Sequence, residues 1–347
     1  MLGDGSDLRV LLMTRGGGSV IAELNPVSGS FDRQIDATSS LTLDATINGK
    51  LDISCCDDYE EMYQWATEIA VFRDGRDAWA GPVTDIIFTY GGVKVQASDL
   101  SAWWDRRVLP ASFYSNLDLS TIFQNYHDQA MEQDSSPNFT VSAEPSGIIG
   151  SRTVNDSDAA YARDKLEELA TTGVDWTAYG RTIIVSGQEI PVAPYVTLLD
   201  EHFDNPPSVH ARGDDQANDI IIKGAGVTAR ATDSDYVAFY GLLTRRFNEP
   251  SIRDQESADT AARTRLEFLK DPVYIETPAA SSLKTTAPIT LPELIPGIRV
   301  RVDSNSTCRQ VARDFRLESV KVDFSGKVSI TLQPLGSVDI RALAQAG

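Results

Sequence analysis

The sequence predicts a mainly β protein with an α+β middle region, and three observations carry that prediction. Short apolar-alternating segments broken by Gly, Asp, Asn or Pro fill residues 8–100. Helical periodicity first appears beyond residue 118, and β-type segments return from residue 216 onward. A chain of 347 residues is long for one domain and suits two or three, each able to bury its own core.

The first hundred residues supply LRVLLMT, SVIAEL, SFDRQID, SLTLDATI, TEIAVF, AWAGPVTDIIFTY and VKVQASDL as strands. Period two is clearest where Leu41, Leu43, Ala45 and Ile47 alternate with Thr42, Asp44, Thr46 and Asn48. Asp74-Gly75 lies between two alternating segments, the residue pair that a tight hairpin with two positive-φ positions demands. Several short strands joined by turns indicate a small barrel or a sandwich.

Residues 119–133 place Leu119, Ile122, Phe123, Tyr126 and Ala130 on one helical face, with Asp118 as N-cap and Pro137 beyond the end. A second helix is predicted over 157–172, capped by Ser157, with Ala162, Leu166, Leu169 and Ala170 as its buried stripe and Gly173 in the left-handed position after it. Val174-Asp175-Trp176, a Tyr179-Gly180 turn and RTIIVS then make a hairpin. The last third returns to β with QANDIIIKG, PVYIE, IRVRVD and GKVSITLQP, interrupted by a helix from Ser257 to Lys270 whose Ala258, Ala261, Ala262, Leu266 and Leu269 point inward. Asp254, Glu256 and Asp259 at its start and Lys270 at its end suit the helix dipole, and Pro272 bars continuation.

Composition excludes several chemistries. Fifty acidic against 31 basic residues give a net charge of −19, and residues 1–100 already hold 16 acidic against 7 basic. Nucleic-acid affinity is disfavoured, because phosphate binding rests on Lys and Arg displacing counterions. Cys55, Cys56 and Cys308 make no disulfide framework, and His127, His202 and His210 have no metal-ligand spacing. No cofactor or metal is expected. The N-terminal segment lacks the pattern of a secretory signal, and no apolar run approaches the roughly 20 residues that span a bilayer, so synthesis and assembly in a host cytoplasm are expected.

The motifs that invite a catalytic or binding reading fail on context. Gly16-Gly17-Gly18 lacks the Lys-Ser/Thr and helix of a phosphate loop and reads as a turn between strands; Gly224-Ala225-Gly226 lacks a third glycine and crossover helix. Asp156-Ser157-Asp158 and Asp233-Ser234-Asp235 never continue to the Gly and Glu of a calcium loop and read as a helix cap and an exposed loop. Arg212-Gly213-Asp214 is a chance-level tripeptide, and the Asn-X-Ser/Thr triplets at Asn138, Asn155 and Asn305 matter only in a secreted protein. No G-x-S-x-G elbow or clustered His/Cys set is present, so no enzyme is expected.

The string from Trp65 to Asp85 resembles the minor tail proteins of actinobacterial tailed phages, members of the wider tail-hub family. The likeness lies in Trp65 ahead of the first strand, Arg73-Asp74-Gly75 at the turn and Trp79-Ala80-Gly81-Pro82 leaving it. The order of later elements is also similar to that family: Gly173-Val174-Asp175-Trp176 after a helix, Asn218 to Gly224, a strand ending in Phe239-Tyr240-Gly241, the helix 257–270, and Leu294-Ile295-Pro296-Gly297 before Ile298. The resemblance spans most of 41–333 and implies two small β-barrels, 1–100 and 197–335, flanking a helix-plus-hairpin domain at 101–196, with a tail at 336–347.

What the resemblance implies functionally is a structural tail-hub subunit at the virion tail tip. A homotrimer of such chains joins a hexameric tail tube or distal tail ring to a three-fold tip around a DNA passage. Distal tail or tube, tape measure and tip or fibre proteins are the implied partners, with DNA transit but no specific nucleic-acid binding and no membrane insertion. The alternatives are a tail-associated peptidoglycan hydrolase and a host receptor-binding module. The chain reads as a compact hub without a cell-puncturing extension. Asp44, Asp52, Asp57, Asp58, Glu60 and Glu61 are candidates to face the channel, 57–61 otherwise being a solvated loop. Trp103, Trp104, Phe113 and Tyr114 concentrate apolar surface in the link region and are candidates for an interface, or for an inter-domain core.

Overall fold

The computed structural model describes residues 2, 8–24, 26, 28–46, 61–89, 92–170, 172–187, 194–205, 208–211, 213–214, 216–249, 252, 255–270, 273–276, 282–306 and 311–334. The first seven strands are β1 (Leu8–Thr14), β2 (Val20–Leu24), β3 (Ser28–Gln34), β4 (Ser40–Thr46), β5 (Thr67–Arg73), β6 (Arg76–Thr89) and β7 (Gly92–Ser98). All seven coincide closely with the alternating segments. At the β5–β6 turn Asp74 has φ 52° and Gly75 φ 71°, the two positive values a two-residue hairpin turn of this kind requires.

Strand β6 is the pivot of this half. Its first part pairs with β5 and its second with β7, with irregular register in both ladders. Trp79 is buried in the first core, while the next residue, Ala80, belongs to the core of the middle region. Gly81 lies so close to the backbone of the β7 end that a Cβ would sit 1.8 Å from the Ser98 carbonyl oxygen and 2.7 Å from Asp99 Cα. Only glycine permits that approach.

Between residues 100 and 187 the chain forms a 3₁₀ turn (Leu100–Arg106), β8 (Ser112–Asp118), α1 (Leu119–Glu132), β9 (Thr140–Ala143), β10 (Ile149–Val154), α2 (Ala162–Ala170), β11 (Val174–Tyr179) and β12 (Thr182–Gly187). Asp118 caps α1 by accepting from Ser120 N at 2.9 Å. Helix α2 starts later than the pattern suggested: Ser157 sits in a separate 3₁₀ turn, Asp156–Asp158, and does not cap it. Ala162, Leu166 and Leu169 are its buried stripe, and Gly173 follows with φ 116°. The middle sheet is β11-β12-β9, with β12 and β9 parallel.

The remaining elements are β13 (Val196–Leu199), β14 (Ser208–Ala211), β15 (Asp219–Gly224), β16 (Thr228–Thr232), α3 (Ser234–Tyr240), β17 (Thr244–Glu249), α4 (Gln255–Leu269), β18 (Val273–Glu276), β19 (Arg299–Ser304), β20 (Val311–Asp323) and β21 (Val328–Pro334). One reading needs correction. Residues up to Phe239-Tyr240-Gly241 are not a strand; they form α3, because Asp233 accepts from the Asp235 and Tyr236 amides as an N-cap and Gly241, at φ 81°, ends the helix. The Asp233-Ser234-Asp235 motif is therefore a helix start, not a free loop.

The two β-rich ends of the chain share one 13-stranded sheet, ordered β14-β18-β21-β20-β3-β4-β7-β6-β5-β1-β2, with β19 also on β20 and β13 on β19. The join is β20 against β3, antiparallel, from Ser319↔Gln34 to Asp323↔Ser30. Among the described residues the path keeps free ends at β14 and β2, and no closed barrel forms. One apolar core runs through both ends, from Leu12, Phe31 and Val71 to Phe315, Val320 and Ile330. The protein is thus mainly β, with its α+β middle region packed against the sheet.

A smaller unit hangs from this body. Sheet β16-β15-β17 is covered by α4, with Ile220, Ile222, Ala229, Ala258 and Ala262 in a core of its own. It is inserted between β14 and β18, which pair antiparallel with each other. No described helix is long and apolar enough to cross a membrane.

Candidate functional site at the joint of the β body and the middle region

The densest buried polar chemistry lies where the middle region sits on the sheet. Gly16 and Gly17 turn with φ 79° and 65°, which aims successive amides at one point. That point is occupied by Glu68 of β5, whose carboxylate accepts from Gly16 N at 3.0 Å and Gly17 N at 3.1 Å. Arg181, from the β11–β12 turn, completes the site with Nη1 2.6 Å from Glu68 Oε2. The same guanidinium donates to the carbonyls of Pro137 and Asn138, and the Asn138 side chain donates to Gly16 O. The glycine run is therefore an anion nest, filled by the protein's own carboxylate.

A second contact lies along β11. Asp36, at φ 54°, exchanges hydrogen bonds with Trp176: its amide donates to Trp176 O and its carboxylate accepts from Trp176 N, both at 2.8 Å. Thr177 Oγ1 donates to Gln34 O at 2.8 Å. Asp175 and Arg316 form an ion pair in which both side chains are 5% exposed. Burial pushes the Arg316 guanidinium below its ordinary pKa, with nearby Asp36 opposing that shift. A pair so enclosed fixes register, since removing either partner strands a charge.

Inside the middle region Trp104 is the hub of an aromatic cluster, with Phe123, His127 and Trp176 edge-on at ring-centroid distances of 5.6, 6.1 and 5.2 Å. Its Nε1–H donates to His127 Nδ1 at 3.2 Å, and burial pulls the His127 pKa down to about 4. The neutral imidazole accepts from the indole within the middle core. Among the described residues no group of His, Cys, Asp and Glu is arranged to hold a metal.

Solved structures with the same course of chain include tail proteins. The 43 kDa tail protein of prophage MuSo2 from Shewanella oneidensis matches with a TM-score of 0.68 at 14% identity, over 95% of this chain and 98% of that one. A tail protein from Neisseria meningitidis MC58 matches at 0.66 and 12% identity, over 96% and 98%. The chain has the tail-protein fold. Prophage tail protein gp18 of Listeria monocytogenes EGD-e matches it at 0.61 and 14% identity, over 97% and 98%. No family model and no curated protein matches the sequence.

Within the tail-protein fold the expected surface residues fall in different places. Trp103 and Trp104 are buried in the middle core and offer no contact surface, because the 3₁₀ turn points both indoles inward. Phe113 is 68% exposed on β8, while Tyr114 packs edge-on against Tyr126. Asp44 is exposed on β4, where it accepts from Ser28 Oγ at 2.9 Å, and Glu61 is exposed ahead of β5. Asp52, Asp57, Asp58 and Glu60 lie outside the described residues, as do the three cysteines.

The residues that hold the joint, Glu68, Arg181, Asp175 and Arg316, carried no motif. The one available signal was Gly16-Gly17, since adjacent glycines that both take positive φ form an amide nest and predict an anion nearby.

Proposed function

We propose that this chain is a non-enzymatic structural subunit of a phage tail, acting as a trimeric hub between a six-fold tube or distal ring and a three-fold tip. The observation that carries the reading is the end-to-end match to tail proteins together with the fusion of the two β-rich ends, assigned to 1–100 and 197–335, in one sheet. Two comparable β units per chain and three chains per ring give six similar surfaces on one side and three on the other. The middle region, 101–196, is clamped to the sheet by Glu68–Arg181 and Asp175–Arg316 and so moves with it.

A strongly acidic chain suits a passage that DNA crosses without adhering, and Asp44, Asp52, Asp57, Asp58, Glu60 and Glu61 are our candidates for its lining. Exposed apolar side chains, Phe113 and Ile149 on the β8–β10 ribbon and Phe239 and Leu242 around α3, are contact surfaces for neighbouring subunits. The test is immunogold microscopy of particles from a producing lysate, with mass spectrometry of the purified particles. Gold at the distal tail end, and the chain among the particle proteins, is the expected result. Purified particles that lack the chain by both methods overturn the reading.

A further inference from the structure

The open face of the inserted sheet carries charge opposite to that of the chain. Cross-strand register sets Arg230 of β16, Ile221 of β15 and Arg246 of β17 side by side, and Lys223 stands two residues along on the same face. The other face, with Ile220, Ile222 and Ala229, is the one that α4 covers. Arg230, Arg246 and Lys223 are exposed, and so are Thr228, Thr232, Thr244 and Asn248 around them. The single acid of this face, Asp219, is fully buried and already paired with Arg230. Arg246 and Lys223 make no ion pair among the described residues.

Residues 217–269 hold 7 basic against 8 acidic residues, and the rest of the sequence 24 basic against 42 acidic. Among the described residues the other acids of the insert lie away from its open face: Asp233 and Asp235 at the start of α3, Glu249 paired with Arg265, and Asp259 and Glu267 on α4. Copies of so acidic a chain repel one another at long range, so a contact between them needs cations on one side. The complement lies in the middle region. A groove of about 480 Å³ is bounded by Val108 and Leu109 on one hand and by Gln129, Glu132, Gln133 and Asp156 on the other, with no Lys or Arg in its described wall. Glu132 and Asp156 are exposed and make no ion pair among the described residues. The groove is roomy enough for a guanidinium, with the apolar stem of the side chain lying along Val108 and Leu109.

We propose that the open face of the insert docks on the middle region of a second copy of this chain, with Arg246 entering the groove toward Glu132 and Asp156 and with Arg230 and Lys223 at its acidic rim. The two patches differ, so the contact is heterologous: each copy gives one face and receives one, and the contact repeats around a ring. This rests on the reading of the chain as a ring-forming subunit and specifies which surfaces join.

The experiment is sedimentation of the purified full chain over rising concentration at about 50 and about 500 mM sodium chloride, with carbodiimide coupling of amines to carboxylates in a mixture of isotope-labelled and unlabelled protein. Expected are a larger species that dissociates with salt and a label-mixed crosslink from Lys223 to Glu132 or Asp156. Arg246→Glu should weaken association roughly tenfold or more, and Arg246→Glu with Glu132→Arg in one chain should restore it. Both side chains are exposed, so neither substitution disturbs a core. A chain that stays monomeric up to about 1 mM, or association that Arg246→Glu leaves unchanged, overturns the proposal. So does a monomer that binds a short DNA duplex through Arg246, which makes the face a phosphate site. None of these outcomes touches the tail assignment, which the composition of the particles tests.

Discussion

The β body and the inserted unit around α4 solve the same problem by opposite means. The body builds its core from residues up to some 300 positions apart, Leu12 packing in one cluster with Ile330. The insert needs only 217–269, where sequence neighbours β15, β16, β17 and α4 bury Ile220, Ile222, Ala258 and Ala262 together. Non-local closure makes the body cooperative: its strands, the β3–β20 join and the middle region stand or fall as one. Local closure leaves the insert free to open by itself, as regions with short-range cores do. Hydrogen exchange on the unmodified protein should therefore show two protection classes, with 219–269 exchanging ahead of β3, β20 and β11.

The largest expected effect breaks the body while sparing the insert. Gly81→Val drives a branched side chain into the Ser98–Asp99 backbone, and neither strand can yield without leaving its ladder. The loss should exceed roughly 5 kcal/mol, seen as a chain whose β body does not fold while 219–269 keeps its exchange protection. Next comes the Asp175–Arg316 pair. Asp175→Asn or Arg316→Met alone should cost about 3–5 kcal/mol, and the double substitution less than the sum, because no charge is then stranded. Chemical denaturation of the four proteins measures the coupling.

The same contrast explains what could be read in the sequence. Strands β1 to β7 were legible because each alternates cleanly and is ended by a turn residue. Helix α4 was legible because its stripe closes on local strands. The long strand β20 was not, although it joins the two halves: its ladder slips between Leu317 and Ser319, so buried positions change from Phe315 and Leu317 to Val320 and Val322, and period two is lost midway. Helix α3 was misread because the short apolar run from Tyr236 to Tyr240 fits either state, and only the Asp233 cap and Gly241 decide it. Trp103-Trp104 illustrates a different limit, since adjacent indoles mark large apolar surface without saying whether the chain or a neighbour covers it. The pairs Glu68–Arg181 and Asp175–Arg316 were invisible because charge pairing over 113 and 141 positions leaves no local pattern.

Acid separates the regions again, more gently. His127 is held neutral to about pH 4, whereas an unfolded histidine protonates near 6.5. The unfolded state thus binds more protons between those values, and the middle region should lose on the order of 3 kcal/mol as pH falls from 6.5 to 4. His127→Gln retains an acceptor for the Trp104 indole and does not titrate. Its unfolding free energy should be flatter across that window than that of the unmodified protein, and an identical slope would show that His127 plays no part.

In the insert the sensitive group is a carboxylate, and its window lies lower. Asp219 accepts from Arg230 Nε and Nη2 at 2.7 and 2.9 Å and from the hydroxyls of Thr232 and Thr244, with the Arg230 contact the main cause that brings its pKa to about 2. A depressed carboxylate stabilises fully above the unfolded value near 4, and that contribution fades as pH falls toward 2. Because Arg230 is more than half exposed and screened by solvent, the amount at stake is on the order of 1–2 kcal/mol. Asp219→Asn should therefore raise exchange in β15, β16 and β17 at pH 6 without altering β3 or β20. If protection fell equally in both regions, the insert would be coupled to the body and the distinction between local and non-local closure would fail.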